Sequence, residues 1–276
     1  GFYMDVDTAA VRRSGMLIPT DTIPTRMDLS LKGKGILTKA ELMMLDMAAH
    51  CNWERPLYMA MTVGTSSQLC FPDYFIQEGL AFRFTPFNRH RTGVDVDTKR
   101  MYENIMTKFK FGNAADPDVY LDENILRMCN AHRIVMVGTA SALLQEGDTA
   151  RARKMLDYSL QVLPPETVPL DYASNAAGTM AELYYRLGDK AKGARILSGL
   201  QKKSSQYAHW YLALSDGKLK ACTRECMVHA QVLYRVLGLM EQYGHPEFEK
   251  ASKDFEGINV LMQQRGVFAA ETAYAD

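Results

Sequence analysis

Three residues near the C-terminal end of the chain, Cys222, Cys226 and His229, have types and a spacing that could bind a metal ion. On a helix, positions i, i+4 and i+7 share one face, and thiolate and imidazole groups are ligands that Zn²⁺ prefers. The same face continues with Leu233 and Leu237, however, and a free cysteine is commonly buried like a small apolar residue. We therefore interpret this stripe as part of a hydrophobic core, and we predict neither a metal nor a cofactor.

A series of acidic residues in the middle of the chain could bind a cation or act as a general acid and base. Its members are Asp95, Asp97, Asp116, Asp118, Asp122 and Glu123. Several of them precede predicted helices or a proline, where aspartate caps a helix or forms a turn. An independent enzyme that uses this series is therefore the least favoured of three functional hypotheses. The sequence also contains no Gly-rich phosphate loop, no nucleophile elbow and no Cys-x-x-Cys pair.

Two shorter clusters have an alternative to a plain structural role. Trp53, Arg55 and Tyr58 could form an exposed recognition surface, although packing of the aromatic rings between a strand and a helix is the favoured interpretation. The Arg-His-Arg stretch at 89–91 could face lipid phosphates, and a solvated loop is the favoured interpretation.

The composition is that of a folded protein without a strong charge bias. Of 276 residues, 47% are hydrophobic and 23% are charged, which is an ordinary balance. Lys+Arg and Asp+Glu are equal at 32 each, and this neutrality argues against nucleic acid as a partner. The 5 cysteines are odd in number and irregular in spacing, so they do not indicate a disulfide framework.

The clearest predicted elements are two helices joined at Gly147-Asp148. Asp148 is a typical helix N-cap, Ala152 suits a close helix crossing, and Pro164 would end the second helix. An alanine five residues and a proline seventeen residues after the glycine (152 − 147 = 5, 164 − 147 = 17) are typical of a tetratricopeptide hairpin.

The same turn recurs at Gly188-Asp189. The distance of 41 residues (188 − 147 = 41) corresponds to a 34-residue unit with seven extra residues, which fit in the Pro-rich link 163–171. Gly193 stands where the pattern expects alanine, and no proline closes this second unit. Because about three such hairpins are usually needed for stability, we expect the flanking segments to cap them.

The sequence therefore predicts a mainly α fold with four regions. Residues 1–38 form an extended lead-in. Residues 39–121 form a small α+β region packed on the repeats, with a two-stranded sheet made from 56–63 and 80–86. Residues 122–265 form tetratricopeptide-like helical hairpins in a short α-superhelix, and residues 266–276 form a loose tail.

The candidate binding residues are His132, Asn175 and Arg186. The first helix of each hairpin lines the concave side of such a superhelix, where these side chains would contact an extended peptide. His132 also lies between Met128 and Val135 on an apolar stripe, so a core histidine is the favoured interpretation for it. Solvation or local bonding of all three is the alternative.

Four motifs stand in order between residues 42 and 123. They are Leu42-Met-Met-Leu-Asp46, Asn52-Trp53-x-Arg55-Pro56-Leu-Tyr-Met-Ala60, Glu78-Gly-Leu-Ala-Phe-Arg83 with Pro86, and Asp116-Pro-Asp-Val-Tyr-Leu-Asp-Glu123. In this order they resemble the soluble C-terminal region of a bacterial family of multi-pass membrane proteins related to protein O-mannosyltransferases. The resemblance covers residues 39–211, and a tetratricopeptide-like segment follows the same block in that family. Met59 departs from the family pattern, in which an aromatic residue is expected.

The resemblance implies that the parent membrane protein is a glycosyltransferase whose acidic catalytic residues lie in a membrane part missing from this chain. This fragment is then predicted not to be an enzyme, and no catalytic residue is assigned to it. It would be an extracytoplasmic domain at the periplasmic face of the inner membrane, attached through the missing N-terminal part and binding acceptor polypeptide or a partner protein. A cytoplasmic location stays open. The alternative function is a free-standing tetratricopeptide-like scaffold that binds peptides.

Overall fold

The computed structural model describes residues 1–170 and 174–267, with the side chains of residues 174 and 175 left out. The predicted tail 266–276 lies outside the described residues from position 268 onward. The chain divides into two compact units, Gly1–Lys110 and Phe111–Asp276. Within the described residues the fold is mainly helical, with two small antiparallel sheets in the first unit.

The N-terminal segment, predicted to be an extended lead-in, contains regular structure. Strand β1 (Phe2–Asp5) pairs antiparallel with β2 (Arg26–Leu29), and helix α1 (Thr8–Arg13) lies between them in the sequence. The Asp7 carboxylate caps α1 by accepting from the Ala9 N–H at 2.9 Å. On β2, Met27 and Leu29 alternate with exposed residues and are buried in the core of this unit. Because the segment is rich in Pro and Thr, these short elements were not predicted from the sequence.

Long-range polar contacts explain why this segment is ordered. The Arg89 guanidinium donates to both oxygens of Asp21, at 2.6 and 3.1 Å, and both side chains are buried. The Tyr74 hydroxyl donates to the Asp28 carbonyl at 2.6 Å. Arg89 therefore does not belong to a solvated basic loop: it lies in the short helix α3 (Arg89–Thr92) and its charge is paired inside the unit.

The second sheet has the strand order β3-β5-β4. The two predicted strands pair as β3 (Tyr58–Ala60) and β5 (Ala81–Phe84), with Tyr58 opposite Arg83. The predicted strand number of two is wrong for this sheet, because β4 (Phe75–Gln77) pairs with the other edge of β5. A strand of three residues is too short to show alternation in the sequence, and its pairing depends on tertiary contacts.

Helix α2 (Lys39–His50) begins with a side-chain cap. Thr38 and Glu41 form a complete capping box, in which the Glu41 carboxylate accepts from the Thr38 N–H at 2.8 Å. Helix α4 (Thr98–Glu103) follows Asp97 and continues into a π-helical turn at Asn104–Lys108. An aromatic core lies beneath the second sheet, where Trp53 stacks on Phe84 with ring centroids 5.3 Å apart.

The second unit consists largely of packed helix pairs. The helices are α5 (Glu123–Gln145), α6 (Thr149–Val162), α7 (Ser174–Arg186), α8 (Lys190–Leu212), α9 (Asp216–Ala221), α10 (Thr223–Gln242) and α11 (Phe248–Gln264). Helix α5 packs on α6, α7 on α8, and α10 on α11, while α10 also contacts both α7 and α8. In these contacts the long helices α5, α6, α8, α10 and α11 each bury a set of apolar residues.

Three tight turns share one geometry. At Gly147 and Gly188 φ is 83° and 82°, and the following residues, Asp148 and Asp189, donate their N–H to the carbonyl five positions earlier at 2.9 and 2.8 Å. Both aspartates cap the next helix, as the sequence predicts. A third turn at Gly244 (φ 63°) has the same bond, from the His245 N–H at 2.8 Å. The left-handed backbone at these positions favours glycine.

Candidate functional site

A cleft of about 370 Å³ lies between α7 and α10 in the second unit. Helix α7 contributes Gly178, Thr179 and Glu182 to it. Helix α10 contributes a wall of aliphatic side chains with Arg235 among them. A volume of this size is within the range of sites that bind small ligands or peptide side chains.

The α7 side of the cleft is defined by helical periodicity. Positions 178, 179 and 182 fall on one face, and positions 175 and 186 continue the same face at either end. Asn175 therefore lies at the N-terminal end of this face, although its side chain is outside the described residues. Arg186 lies at the C-terminal end, and its side chain is exposed.

Glycine residues on both helices contribute to the open space of the cleft. Gly178 and Gly238 both line it, and a Cβ atom added at Gly238 would meet no other atom within 4 Å. Glycine in a helix interior costs about 0.5–1 kcal/mol relative to alanine. The two glycines leave open a space that larger side chains would fill.

Charges of both signs border the cleft. Burial raises the pKa of Tyr243, the Glu182 carboxylate raises it further, and Arg186 lowers it, so both charges lie within electrostatic reach of this hydroxyl. The Tyr243 ring stacks on Tyr185 with centroids 4.4 Å apart and an interplanar angle of 7°. Exposed Arg235 stands on the α10 side. An extended peptide has both donors and acceptors to offer to such a border.

His132 does not line this cleft. It lies on α5, half-buried, with its ring edge-on to Phe111 at a centroid distance of 5.4 Å. Burial lowers the pKa of its imidazole, which favours the neutral form. Of the three predicted residues, the structure thus brings Asn175 and Arg186 to one helix face and leaves His132 elsewhere.

The stripe of Cys222, Cys226 and His229 lies only partly in the core, because Cys222 and His229 are half-buried. Cys226 is buried, and burial raises the pKa of its thiol. His229 stacks on Tyr207 with ring centroids 4.5 Å apart, and its centroid lies 6.0 Å from that of Tyr211. In the part of the chain that the structure describes, no three His, Cys, Asp or Glu side chains are placed to hold a metal ion.

The acidic series serves mainly as caps and turns. Asp97 accepts from the Arg100 N–H at 3.0 Å, and Asp122 accepts from the Ile125 N–H at 2.8 Å. Asp116 accepts from the Asp118 N–H at 3.0 Å within its loop. Glu123 pairs with Arg127 across one helical turn. These carboxylates are thus occupied by local bonds, and they come from both units.

Two Ser, His and acid groupings that the sequence does not reveal lie between α8 and α11. The Ser198 hydroxyl donates to Glu247 at 2.6 Å and lies 3.1 Å from His245 Nε2, but His245 Nδ1 accepts the Glu247 N–H at 3.1 Å. A neutral His245 therefore carries its proton on Nε2 and cannot remove one from Ser198. In the second grouping, Ser205 and His209 each bind Asp254 rather than one another. Neither grouping has the geometry of a nucleophilic triad.

In the first unit, two of the four motifs, those at 52–60 and 78–83, meet around one carboxylate. Glu78 has a side chain that is 6% exposed, and it accepts from the Tyr58 hydroxyl at 2.7 Å. Arg100 donates to it at 3.1 Å, and Arg83 lies 3.5 Å away. Two cations and a hydroxyl thus compensate the buried charge, which would otherwise be costly.

The network reaches beyond the carboxylate. Arg83 donates to the Ser14 carbonyl at 3.1 Å, and Arg100 donates to the Gly15 carbonyl and pairs with Asp97 at 3.2 Å. The sequence does not reveal this cluster, because its members are separated by up to 86 positions (100 − 14 = 86). It joins the N-terminal segment to the second sheet, which indicates a structural role.

The structure therefore defines a two-unit protein with a small α+β first unit and a second unit of packed helix pairs. Residues 1–104, which cover nearly all of the first unit, match a protein family described as TMEM260-associated domain 2. This part of the chain is similar to that domain, and it contains the whole cluster around Glu78. Neither a curated protein nor a solved structure matches the chain. None of the described helices is both long and apolar enough to span a membrane.

Proposed function

We propose that this chain is a non-catalytic domain of a membrane glycosyltransferase related to protein O-mannosyltransferases. The match of residues 1–104 to a TMEM260-associated domain supports an association with a membrane protein of this kind. The ordered motifs between residues 42 and 123 support the same assignment. The parent protein carries the transferase activity, and this part lies on the periplasmic side of the inner membrane.

The second unit binds an extended polypeptide, either the acceptor of the transferase or a partner protein, in the cleft between α7 and α10. The observation that carries this proposal is the cleft itself, which lies on the face of α7 that includes Asn175 and Arg186. The three turns of equal geometry support a short tetratricopeptide-like superhelix, in which α5, α7 and α10 are the first helices of successive pairs. First helices line the concave side of such a superhelix.

A pair of glycine variants tests the binding site. Gly238→Leu places a side chain in the cleft, whereas Gly199→Leu places the same side chain at an exposed position of α8. At either position an added Cβ atom meets no other atom within 4 Å. Peptides selected on the unmodified chain from a displayed library of random 12-residue sequences serve as the probe. We expect Gly238→Leu to weaken their binding at least tenfold and Gly199→Leu to leave it unchanged. Equal binding to both variants would remove the cleft as the site.

The alternative is a free-standing scaffold that binds peptides in the same cleft. The coding sequence upstream of Gly1 separates the two functions, since a membrane glycosyltransferase requires several hydrophobic spans there. A start codon directly ahead of Gly1 would support the scaffold.

A further inference from the structure

A second groove, on a different set of residues from the peptide cleft, lies along α8. It has a volume of about 390 Å³ and is lined by Lys203, Gln206, Tyr207 and Trp210. These positions follow the spacing i, i+3, i+4 and i+7, so they form one face of the helix. Trp210 is 56% exposed, so its indole face is accessible to a ligand.

The aromatic side of the groove is held in place by stacking. Tyr207 stacks on His229 with ring centroids 4.5 Å apart, and His229 continues the stack to Tyr211. Trp210 meets Tyr211 edge-on at 4.9 Å. Rings that are fixed by neighbours lose little conformational entropy when a ligand covers them. The aromatic side of the groove is therefore preorganised. The other two lining residues, Lys203 and Gln206, are polar.

We propose that this groove binds a neutral hexopyranose unit of a glycan. A pyranose ring has one face of C–H groups, which suits the electron-rich face of an exposed indole. Its hydroxyl groups both donate and accept, which suits the Gln206 amide, the Tyr207 hydroxyl and the Lys203 ammonium. The volume lies within the range of small-ligand sites.

Other ligand classes fit the groove less well. The Lys203 ammonium lies 5.5 Å from the Tyr207 ring centroid and already occupies the position of a cation ligand. A proline-rich peptide offers carbonyl acceptors but no main-chain donors at its prolines. The side-chain oxygen of Gln206 would therefore have no donor to bind. Among the described residues that line the groove, none is a carboxylate that could recognise a basic peptide.

Saturation-transfer NMR on the full chain tests this proposal. The probes are methyl α-D-mannopyranoside, methyl β-D-glucopyranoside and methyl β-D-galactopyranoside, with a decaproline peptide as a fourth probe. We expect at least one pyranoside to bind with a dissociation constant on the order of 1 mM, as for other ligands of this size. Trp210→Ala should weaken that binding at least tenfold. Tyr234→Ala removes a ring that is 72% exposed on α10, outside the groove, and should leave binding unchanged.

The result separates this site from the peptide cleft. Gly238→Leu should not change pyranoside binding, because Gly238 lines the other site. Thermal unfolding of Trp210→Ala must match that of the unmodified chain, and Gln206→Ala provides a second variant if it does not. The proposal is overturned if no pyranoside binds, if Trp210→Ala and Gln206→Ala bind it as well as the unmodified chain, or if decaproline alone binds.

Discussion

Gly193 shows how a single residue can depart from a repeat pattern for a local reason. The pattern expects alanine at this position of α8, yet a Cβ atom there would lie 2.7 Å from the Tyr185 ring and 3.0 Å from the Ala181 carbonyl oxygen. Tyr185 is in turn fixed by its stack on Tyr243 beside the cleft. Because Gly193 has no Cβ atom, the Tyr185 ring fits at the position where the methyl group of the expected alanine would lie.

We predict that Gly193→Ala destabilises the second unit by about 1–3 kcal/mol, because the added methyl group displaces the Tyr185 ring or strains the helix. Gly199→Ala is the matched control on the same helix, since its added Cβ meets no atom within 4 Å. That control should stabilise by about 0.5–1 kcal/mol through helix propensity alone. Urea unfolding followed by circular dichroism measures both, and equal effects of the two substitutions would contradict the assigned packing.

The capping box of α2 gives a pH dependence at the level of one carboxylate. The bond from Lys34 and that from the Thr38 N–H lower the pKa of Glu41 to about 2 from its usual 4.5. Because the folded-state pKa is lowered, the stabilisation is complete above pH 4.5 and is lost as the pH falls toward 2. We predict that Glu41→Gln reduces the loss of stability of the first unit over this pH window.

Buried Trp53 reports on that unit once Trp210, the other of 2 tryptophans, is replaced by phenylalanine. Urea unfolding of this protein at several pH values between 2 and 6 gives the comparison. The exposed residue Glu54 provides the control variant Glu54→Gln. If both variants lost stability with falling pH as steeply as the unmodified protein, the Lys34–Glu41 contact would have no role in acid sensitivity.

At the scale of elements, the connection between α6 and α7 is held by a buried arginine. Arg133 on α5 is fully buried and donates to the carbonyls of Leu163 and Val168, both at 2.7 Å. It also donates to the Asn130 side chain at 2.8 Å. Burial lowers the pKa of Arg133 to about 10, and the carbonyls rather than a carboxylate solvate its charge. One side chain thus holds the segment 163–169 of the Pro-rich link in place.

We predict that Arg133→Met lowers the free energy of unfolding by about 2–5 kcal/mol, because buried carbonyls lose their donors. Arg127→Met, on the exposed face of the same helix, should cost less than about 1 kcal/mol. Urea unfolding at neutral pH measures both variants. A small effect of Arg133→Met would show that water or a rearranged turn replaces the guanidinium.

Sequence patterns predicted the elements that are long or carry a strong local signal. The turns at Gly147 and Gly188 were predictable because glycine and aspartate each have a distinct backbone role there. The turn at Gly244 has the same hydrogen bond but carries histidine in place of aspartate, so the Gly-Asp pattern did not predict it. Strand β4 was missed because it follows directly on a 3₁₀ turn at Pro72–Tyr74 and its pairing with β5 depends on tertiary contacts. The cleft could be predicted only as a face of α7, since the glycine on its other side belongs to α10.

At the scale of the whole molecule, the two units carry different kinds of information. The family match and the cluster around Glu78 lie in the first unit, whereas both grooves lie in the second. The first unit is similar to a TMEM260-associated domain, and the second contains the clefts on which the two binding proposals rest.

The most direct test of the proposed function is photo-cross-linking in the native host. Thr179 lines the cleft, and Tyr120 is 87% exposed on a loop of the same unit. With p-benzoylphenylalanine at position 179, we expect covalent adducts to defined polypeptide segments, identified by mass spectrometry, and their loss when Gly238→Leu fills the cleft. The same group at position 120 should not capture these segments. Identical adducts from both positions, or adducts at 179 that persist with Gly238→Leu, would contradict a peptide-binding cleft.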